Sequence, residues 1–275
     1  MIFKLNLFWK ELFLFGTTLL IGIFSAYNYR FLMEKTLIKP KFSSWDDIVV
    51  FLVVLAILSV VILKFKKFGA LLLKFFLLLV VFSGSQTVFG SFISSPWDMI
   101  LALIMVLFFM LIRNVFVHDL GMIIGLAGIS SLLGITISPN TAVALLVILS
   151  FYDIIAVYWT KHMIYMAQSM IESGAIFGFI IPFEIKDIFN HKLEARQKLG
   201  DKFMILGSGD IGLPLILVSS LAVVSIRQSL VTALFALVGL FLTHLMFVNQ
   251  EGRKPMAALP PIATLTIIGY IIASL

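Results

Sequence analysis

Apolar residues run along this chain in blocks of 16 to 25, parted by short polar or basic clusters. About 20 apolar residues in helical form span the hydrocarbon core of a bilayer. Counted against that length, the pattern predicts nine spans: 12–29, 47–63, 68–92, 97–112, 117–137, 141–160, 203–226, 229–248 and 257–274. The expectation is an all-α polytopic membrane protein. The one long interruption, 161–202, divides it into a six-span part (1–160), a loop and a three-span part (203–275). In that loop, 175–185 is apolar, with Phe177, Phe179, Ile180, Ile181 and Phe183, and 186–202 is charged and polar. Pro182 and the glycines at 174 and 178 oppose a long helix there, and the β-branched residues favour extended structure. One reading is an amphipathic segment lying on the cytoplasmic face; the other is that 177–185, or the segment entering span seven, becomes a strand when substrate binds, with the loop, 186–202 above all, weakly ordered until then.

Composition supports the membrane reading. The 275 residues are 61% hydrophobic and only 12% charged, with a mean hydropathy of +1.13, against about 25% charged in soluble domains. The net charge of +6 is not a nucleic-acid signal, because the Lys and Arg lie between spans. Most of them fall in the leader, in the cluster Lys64, Lys66 and Lys67, in the 161–202 loop and in the last loop. That bias predicts a cytoplasmic N-terminus and an extracytoplasmic C-terminus. The absence of cysteine excludes disulfides, thiolate metal sites and a Cys nucleophile. The four histidines show no metal-site spacing. No cleavable signal peptide stands out, since the first apolar run is long enough to remain as a span.

Chemistry concentrates at three places. The stretch Gly207-Ser208-Gly209-Asp210-Ile211-Gly212-Leu213-Pro214 puts a carboxylate inside an apolar run. An intramembrane acid is costly, so a functional site is the default reading, the alternative being a small-residue helix seam with one acid paired to a neighbour. Its glycines allow close approach of another backbone. Pro214, four residues on, removes the hydrogen bond that the Asp210 carbonyl would accept. The second place is Tyr152-Asp153, about seven residues before the cytoplasmic end of span six. Asp210 lies about as far into antiparallel span seven, so both acids sit ~10 Å below the same surface and can face each other. Two carboxyl groups a few ångströms apart cannot both ionise in a low dielectric. One then serves as base on water and the other as acid, which is the chemistry of aspartic peptide hydrolysis. The third place is Ala257-Ala258-Leu259-Pro260-Pro261, opening span nine. Taken alone it reads as a helix start with Pro in its first turn; in a site, paired prolines free backbone groups that an extended substrate can meet.

Taken in order, Tyr152-Asp153, Gly207-Ser208-Gly209-Asp210 and Ala258-Leu259-Pro260 resemble the YD, GxGD and PAL signatures of the presenilin and signal peptide peptidase family of intramembrane aspartyl proteases. The resemblance covers most of the chain and looks closest to microbial members, which implies a microbial cell membrane. It implies Asp153 and Asp210 as the catalytic pair, with Tyr152, Gly207, Ser208 and Gly209 shaping the site. Ala258, Leu259 and Pro260 would bind substrate. The substrate would be the transmembrane helix of another membrane protein in the bilayer, with no metal and no cofactor. Two positions depart from the family pattern: Ser208, often Leu or Phe, and Ala257, where the family has the first Pro of its third motif. Prepilin peptidases share GxGD but are expected to carry a Lys two residues later, where Gly212 stands. The rival from another class is an ion-coupled transporter or cation channel, although no repeat halves are present. Several other polar residues are expected to be structural. Lys74 snorkels, His244 is hydrogen-bonded in the bundle, and His118 and Asp119 sit at the membrane interface. Ser130 and Ser131 serve helix packing.

Overall fold

The computed structural model describes residues 4–36, 49–50, 53, 66–250 and 255–275. Almost all of the expected second span, 47–63, lies outside the described residues. The remaining apolar blocks form helices α1 (Leu5–Thr36), α2 (Lys66–Gly90), α3 (Trp97–Leu111), α4 (Val115–Thr136) and α5 (Pro139–Ile154). A π-helical turn, Ile155–Trp159, extends α5. The loop contributes α6 (His162–Ser173), strand β1 (Gly178–Pro182), a 3-10 turn (Ile185–Phe189) and the short α7 (Lys192–Gln197). Strand β2 (Phe203–Gly207) leads directly into α8 (Ser208–Val224), followed by α9 (Ile226–Val248) and α10 (Leu259–Ser274). Five of these segments are long and apolar enough to cross a membrane, and three shorter helices are apolar. Their outward faces carry large apolar side chains such as Leu71, Phe75, Leu103, Leu111 and Leu234, as a lipid-facing surface requires.

Local sequence sets the ends of several helices. Asn114 caps α4 by accepting from the Val117 amide at 2.8 Å, and Ser138 caps α5 by accepting from Thr141, with Pro139 in the first turn. Lys161, at φ 53, turns the chain between the π-helical turn and α6. Ser225 ends α8 in extended conformation and caps α9 through Gln228.

The bundle is organised on two buried helices, α4 and α8. In lipid the association of helices rests on close packing and interhelical hydrogen bonds rather than on water exclusion. The α2–α4 crossing shows how close that packing is. A Cβ added at Gly84 would collide with the Gly125 backbone, and one at Gly128 with the Gly84 backbone. Helix α4 is tied to α1 by Ser131 Oγ, which donates to the Gly22 carbonyl at 2.8 Å. Helix α8 packs on α4, α1, α9 and α5, and Ser229 Oγ of α9 donates to its Val218 carbonyl at 2.8 Å. A second close crossing joins α9 to α10, where a Cβ on Gly239 would stand 2.7 Å from Ile262 Cα.

The expected seventh span is corrected. Its first five residues are a strand, and the helix begins only at Ser208. The 161–202 loop also departs from the expectation of weak order without substrate. Strands β1 and β2 pair antiparallel, with Gly178 opposite Gly207 and Ile180 opposite Ile205. Phe179, Ile180, Ile181 and Phe203 are fully buried. The charged part, 186–202, folds over them as a turn and a helix. Asn190 Nδ2 donates to Asp187 Oδ1 at 3.0 Å, and the Phe183 amide donates to the Lys202 carbonyl at 2.8 Å. Burying an aromatic or branched side chain stabilises by roughly 1.5–3 kcal/mol, and four such residues order a segment that propensity alone leaves open.

His118 and Asp119 are buried rather than interfacial. Asp119 Oδ1 accepts from the Ile180 amide at 2.9 Å, and His118 Nε2 bonds the Gly178 carbonyl at 3.0 Å. Lys192 Nζ lies 3.2 Å from His118 Nδ1 and 4.4 Å from the Phe109 ring centroid. At the other end of β1, Lys10 Nζ donates to the carbonyls of Pro182 and Phe183 at 2.8 and 2.9 Å.

Two predictions come from this packing. Gly84→Val forces two backbones apart and is expected to destabilise the folded chain by about 1–3 kcal/mol, read as a lower melting temperature in detergent. Lys192 has its ammonium pushed down to about 8, first by burial, with Arg113 adding and the Asp119 carboxylate opposing. Between about 8 and the ordinary lysine value near 10.4 the unfolded chain then holds a proton that the folded chain has released. Stability therefore rises with pH across that window. Melting temperatures from pH 7.5 to 9.5 are expected to show this increment in the wild type, relative to Lys192→Met, which lacks it.

Candidate functional site

Asp153 is the last residue but one of α5, just before the π-helical turn. Its side chain is buried. The Leu259 amide donates to its Oδ2 at 3.4 Å, and Oδ1 has no hydrogen-bond partner among the described residues. The first turn of α10 explains that contact. Leu259, Pro260 and Pro261 are its first three residues, and proline has no N–H. The single amide left in that turn is therefore free to turn to Asp153. The sequence expectation that the paired prolines release backbone polarity thus takes a definite form. They spare one donor, and it meets an acid.

Asp210 is the third residue of α8, not about seven residues into a helix as the sequence suggested. Gly207 is the N-cap, extended at φ −63 and ψ 142. The Asp210 carboxyl folds back on it, as an acid at the third position of a helix does. A Cβ at Gly207 would stand 2.9 Å from Asp210 Oδ2. A Cβ at Gly209 would meet nothing within 4 Å, and one at Gly212 would stand 3.2 Å from Ser130 Oγ. The three glycines thus have separate settings: Gly207 faces the acid, Gly209 opens on empty space, and Gly212 faces α4. Asp210 is buried and lies within electrostatic range of Asp153. The N-termini of α8 and α10, each with partial positive charge, meet at this pair of acids.

A cavity of about 480 Å³ adjoins Asp210. Gly207, Ser208, Gly209, Asp210 and Ala258 line it. Asp153, Tyr152, Leu259 and Pro260 do not, although Val157, one turn beyond Asp153, does. Tyr152 is 40% exposed. The structure therefore gathers both acids and the glycines, brings Ala258 to the cavity wall, and places Leu259 against Asp153. It leaves Tyr152 and Pro260 off the cavity.

Several wall residues were not singled out in the sequence. Methionines 163, 166, 170, 204 and 256 give the cavity a soft apolar wall. Glu11 and His244 also line it. Both carboxylate oxygens of Glu11 lie 3.0 Å from His244 Nδ1, which supplies the partner within the bundle expected for that histidine. Glu11 stands at the edge of an apolar run and reads as part of the polar leader. Only the length of α1, which starts at Leu5, puts it inside the bundle. Among the described residues no group of three or more His, Asp or Glu forms a metal-binding cluster.

Two solved structures resemble this one over 94% of the chain, both of a presenilin family intramembrane aspartate protease. The form in space group C222 has TM-score 0.60, 23% sequence identity and 94% of its chain covered. The form in space group P2 has TM-score 0.60, 24% identity and 96% of its chain covered. These likenesses show the fold. No curated protein matches the chain. The family model described as signal-peptide peptidase, presenilin aspartyl protease matches residues 43–275. That match takes in both acids and all three motifs, so the chain is an integral membrane protein that belongs to the signal-peptide peptidase and presenilin family of aspartyl proteases, which are peptide hydrolases.

Proposed function

We propose that this protein hydrolyses peptide bonds within transmembrane segments of other membrane proteins, with Asp153 and Asp210 as the catalytic pair. The observation that carries the reading is the meeting of two buried carboxyl groups from separate helices beside a cavity. The pair shares one proton and holds a water between its members. The unprotonated carboxyl takes a proton from that water as its oxygen attacks the scissile carbonyl. The protonated one then gives its proton to the departing amine. Which acid starts with the proton is a property of the pair. No cofactor or metal enters the reaction.

A helical peptide bond is shielded, so the substrate must be drawn out straight. Strand β2 offers a template. In an antiparallel ladder alternate residues turn their backbone groups outward. Asp119 and His118 bond Ile180 and Gly178 on the outer edge of β1, so the paired residues Ile205 and Gly207 face outward on β2. Ile205 lies on the cavity wall, and among the described residues its backbone takes no hydrogen bond on that side. A substrate strand added there would run toward Asp210. Of the two segments expected to offer an edge, 177–185 and the one entering span seven, this assigns the role to the second. Ala258 would contact substrate across the cavity, with Leu259 and Pro260 acting through Asp153.

The topology we propose has nine spans, with the N-terminus cytoplasmic and the C-terminus extracytoplasmic. Residues 1–160 carry Asp153, 203–275 carry Asp210, and 161–202 joins them on the cytoplasmic side. A microbial cell membrane is the proposed location.

Two predictions test the function. Asp153→Ala and Asp210→Ala are each expected to abolish cleavage of a transmembrane peptide in detergent while the protein still inserts and folds. Near-wild-type cleavage by either variant removes the pair from the mechanism. Ion flux through liposomes without any cleavage would favour the transporter reading instead. The rate of cleavage is also expected to be bell-shaped in pH, since one proton per pair is required. A flat rate between about pH 4 and 9, at constant folded fraction, would argue against a shared proton.

A further inference from the structure

The site rests on a strand held from outside by a helix that carries neither acid. Five links lead from α4 to Asp210. Asp119 Oδ1 accepts from the Ile180 amide at 2.9 Å, and His118 Nε2 bonds the Gly178 carbonyl at 3.0 Å. Gly178 stands opposite Gly207 in the ladder, and a Cβ added at Gly178 would run into the Leu206 carbonyl. The Ser208 amide donates to the Phe177 carbonyl at 3.3 Å, tying the first residue of α8 to β1 as well. Gly207 in turn faces Asp210 Oδ2.

We propose that His118 and Asp119 are positioning residues for the reaction: they fix the register of β1, and through Gly178 and Gly207 they hold Asp210 in place against Asp153. This rests on the protease reading given above. A two-stranded ribbon is marginal by itself, and a slip of one residue would turn every side chain to the other face. The side chains at 118 and 119 prevent both. They bond residues 178 and 180, which share one edge of the strand, so only one register satisfies both. They also occupy the edge of β1 that a substrate strand would otherwise find, leaving β2 as the available edge. Phe109 stacks near His118 with ring centroids 5.5 Å apart, and Lys192 Nζ lies 3.2 Å from the imidazole Nδ1. The imidazole is thus held between α3 and α7. Neither His118 nor Asp119 lines the cavity, so their effect on the reaction passes through the strand.

The test uses the full chain in detergent. Asp119→Ala and His118→Phe remove the bonds, and Asp119→Asn keeps an oxygen that accepts from Ile180. Ser131→Ala removes a hydrogen bond of the same helix to α1 and controls for general loosening of α4. Amide exchange at 178–181 and 204–207 is expected to speed up about 10-fold or more in Asp119→Ala and His118→Phe, and to stay near wild type in Asp119→Asn and Ser131→Ala. The kcat for a transmembrane peptide is expected to fall about 10- to 100-fold in the first two variants. KM should change less than kcat, and Asp119→Asn should recover most of the rate. Exchange or kcat no more affected than in Ser131→Ala would overturn the proposal. So would a kcat in Asp119→Asn as low as in Asp119→Ala. If the wild type itself cleaves no transmembrane peptide, the protease reading fails. The exchange measurement then still decides whether residues 118 and 119 fix the strand.

Discussion

Every polar group of the backbone must find a partner when the surrounding medium offers none. A helix meets that demand within itself, but a strand does not. The passage from β2 to α8 at Gly207 is therefore the point on which the rest of the structure depends. There the chain leaves extended conformation and enters a helix within a segment apolar enough to read as one span. One side of β2 is satisfied by β1. The outer edge of β1 is satisfied by His118 and Asp119, and its far end by Lys10. The tightly packed α4 earns its central place by carrying this burden as well as its helix contacts.

The same constraint shapes the second acid. Helix α10 begins with a turn in which two of three residues lack an N–H. The remaining amide would be an orphan in an apolar setting, and Asp153 accepts from it. Helix starts, which usually need side-chain caps, are here capped by the acids themselves: Asp210 folds back over the start of α8, and Asp153 receives the start of α10. In the proposed mechanism, structure and chemistry are joined at these two positions. Removing either carboxyl removes a helix-end partner too, so a folded-state measurement belongs beside any loss of activity.

The cavity wall divides along similar lines. Its methionines are unbranched and adaptable, suited to side chains of varied shape. The polar pair Glu11 and His244 bridges α1 and α9, while the adjacent Lys10 bridges α1 and the hairpin. One turn of α1 thus reaches both the cavity wall and the far end of β1.

Much of this was legible in the sequence. Runs of apolar residues determine the helices, because a bilayer-spanning segment needs length and apolarity and little else. The acids at 153 and 210 stand out since charge inside such runs is rare, and the ordered motifs around them name the family. Pro260 and Pro261 mark a broken helix start by their missing amides. What only the tertiary structure decided is what depends on partners distant in the chain. Residues 203–207 read as helix because their composition is that of a span; they form a strand because β1, some 25 residues earlier, lies beside them. The 161–202 loop reads as loose because its propensities are mixed; it is ordered because α4 buries it. His118 and Asp119 read as interfacial because a sequence shows polarity and not what faces it, and Glu11 read as leader for the same reason. Local pattern fixed which segments form long apolar helices, and the pairing of remote segments fixed where the backbone could leave the helix, with β1 satisfied on both edges and β2 paired on one.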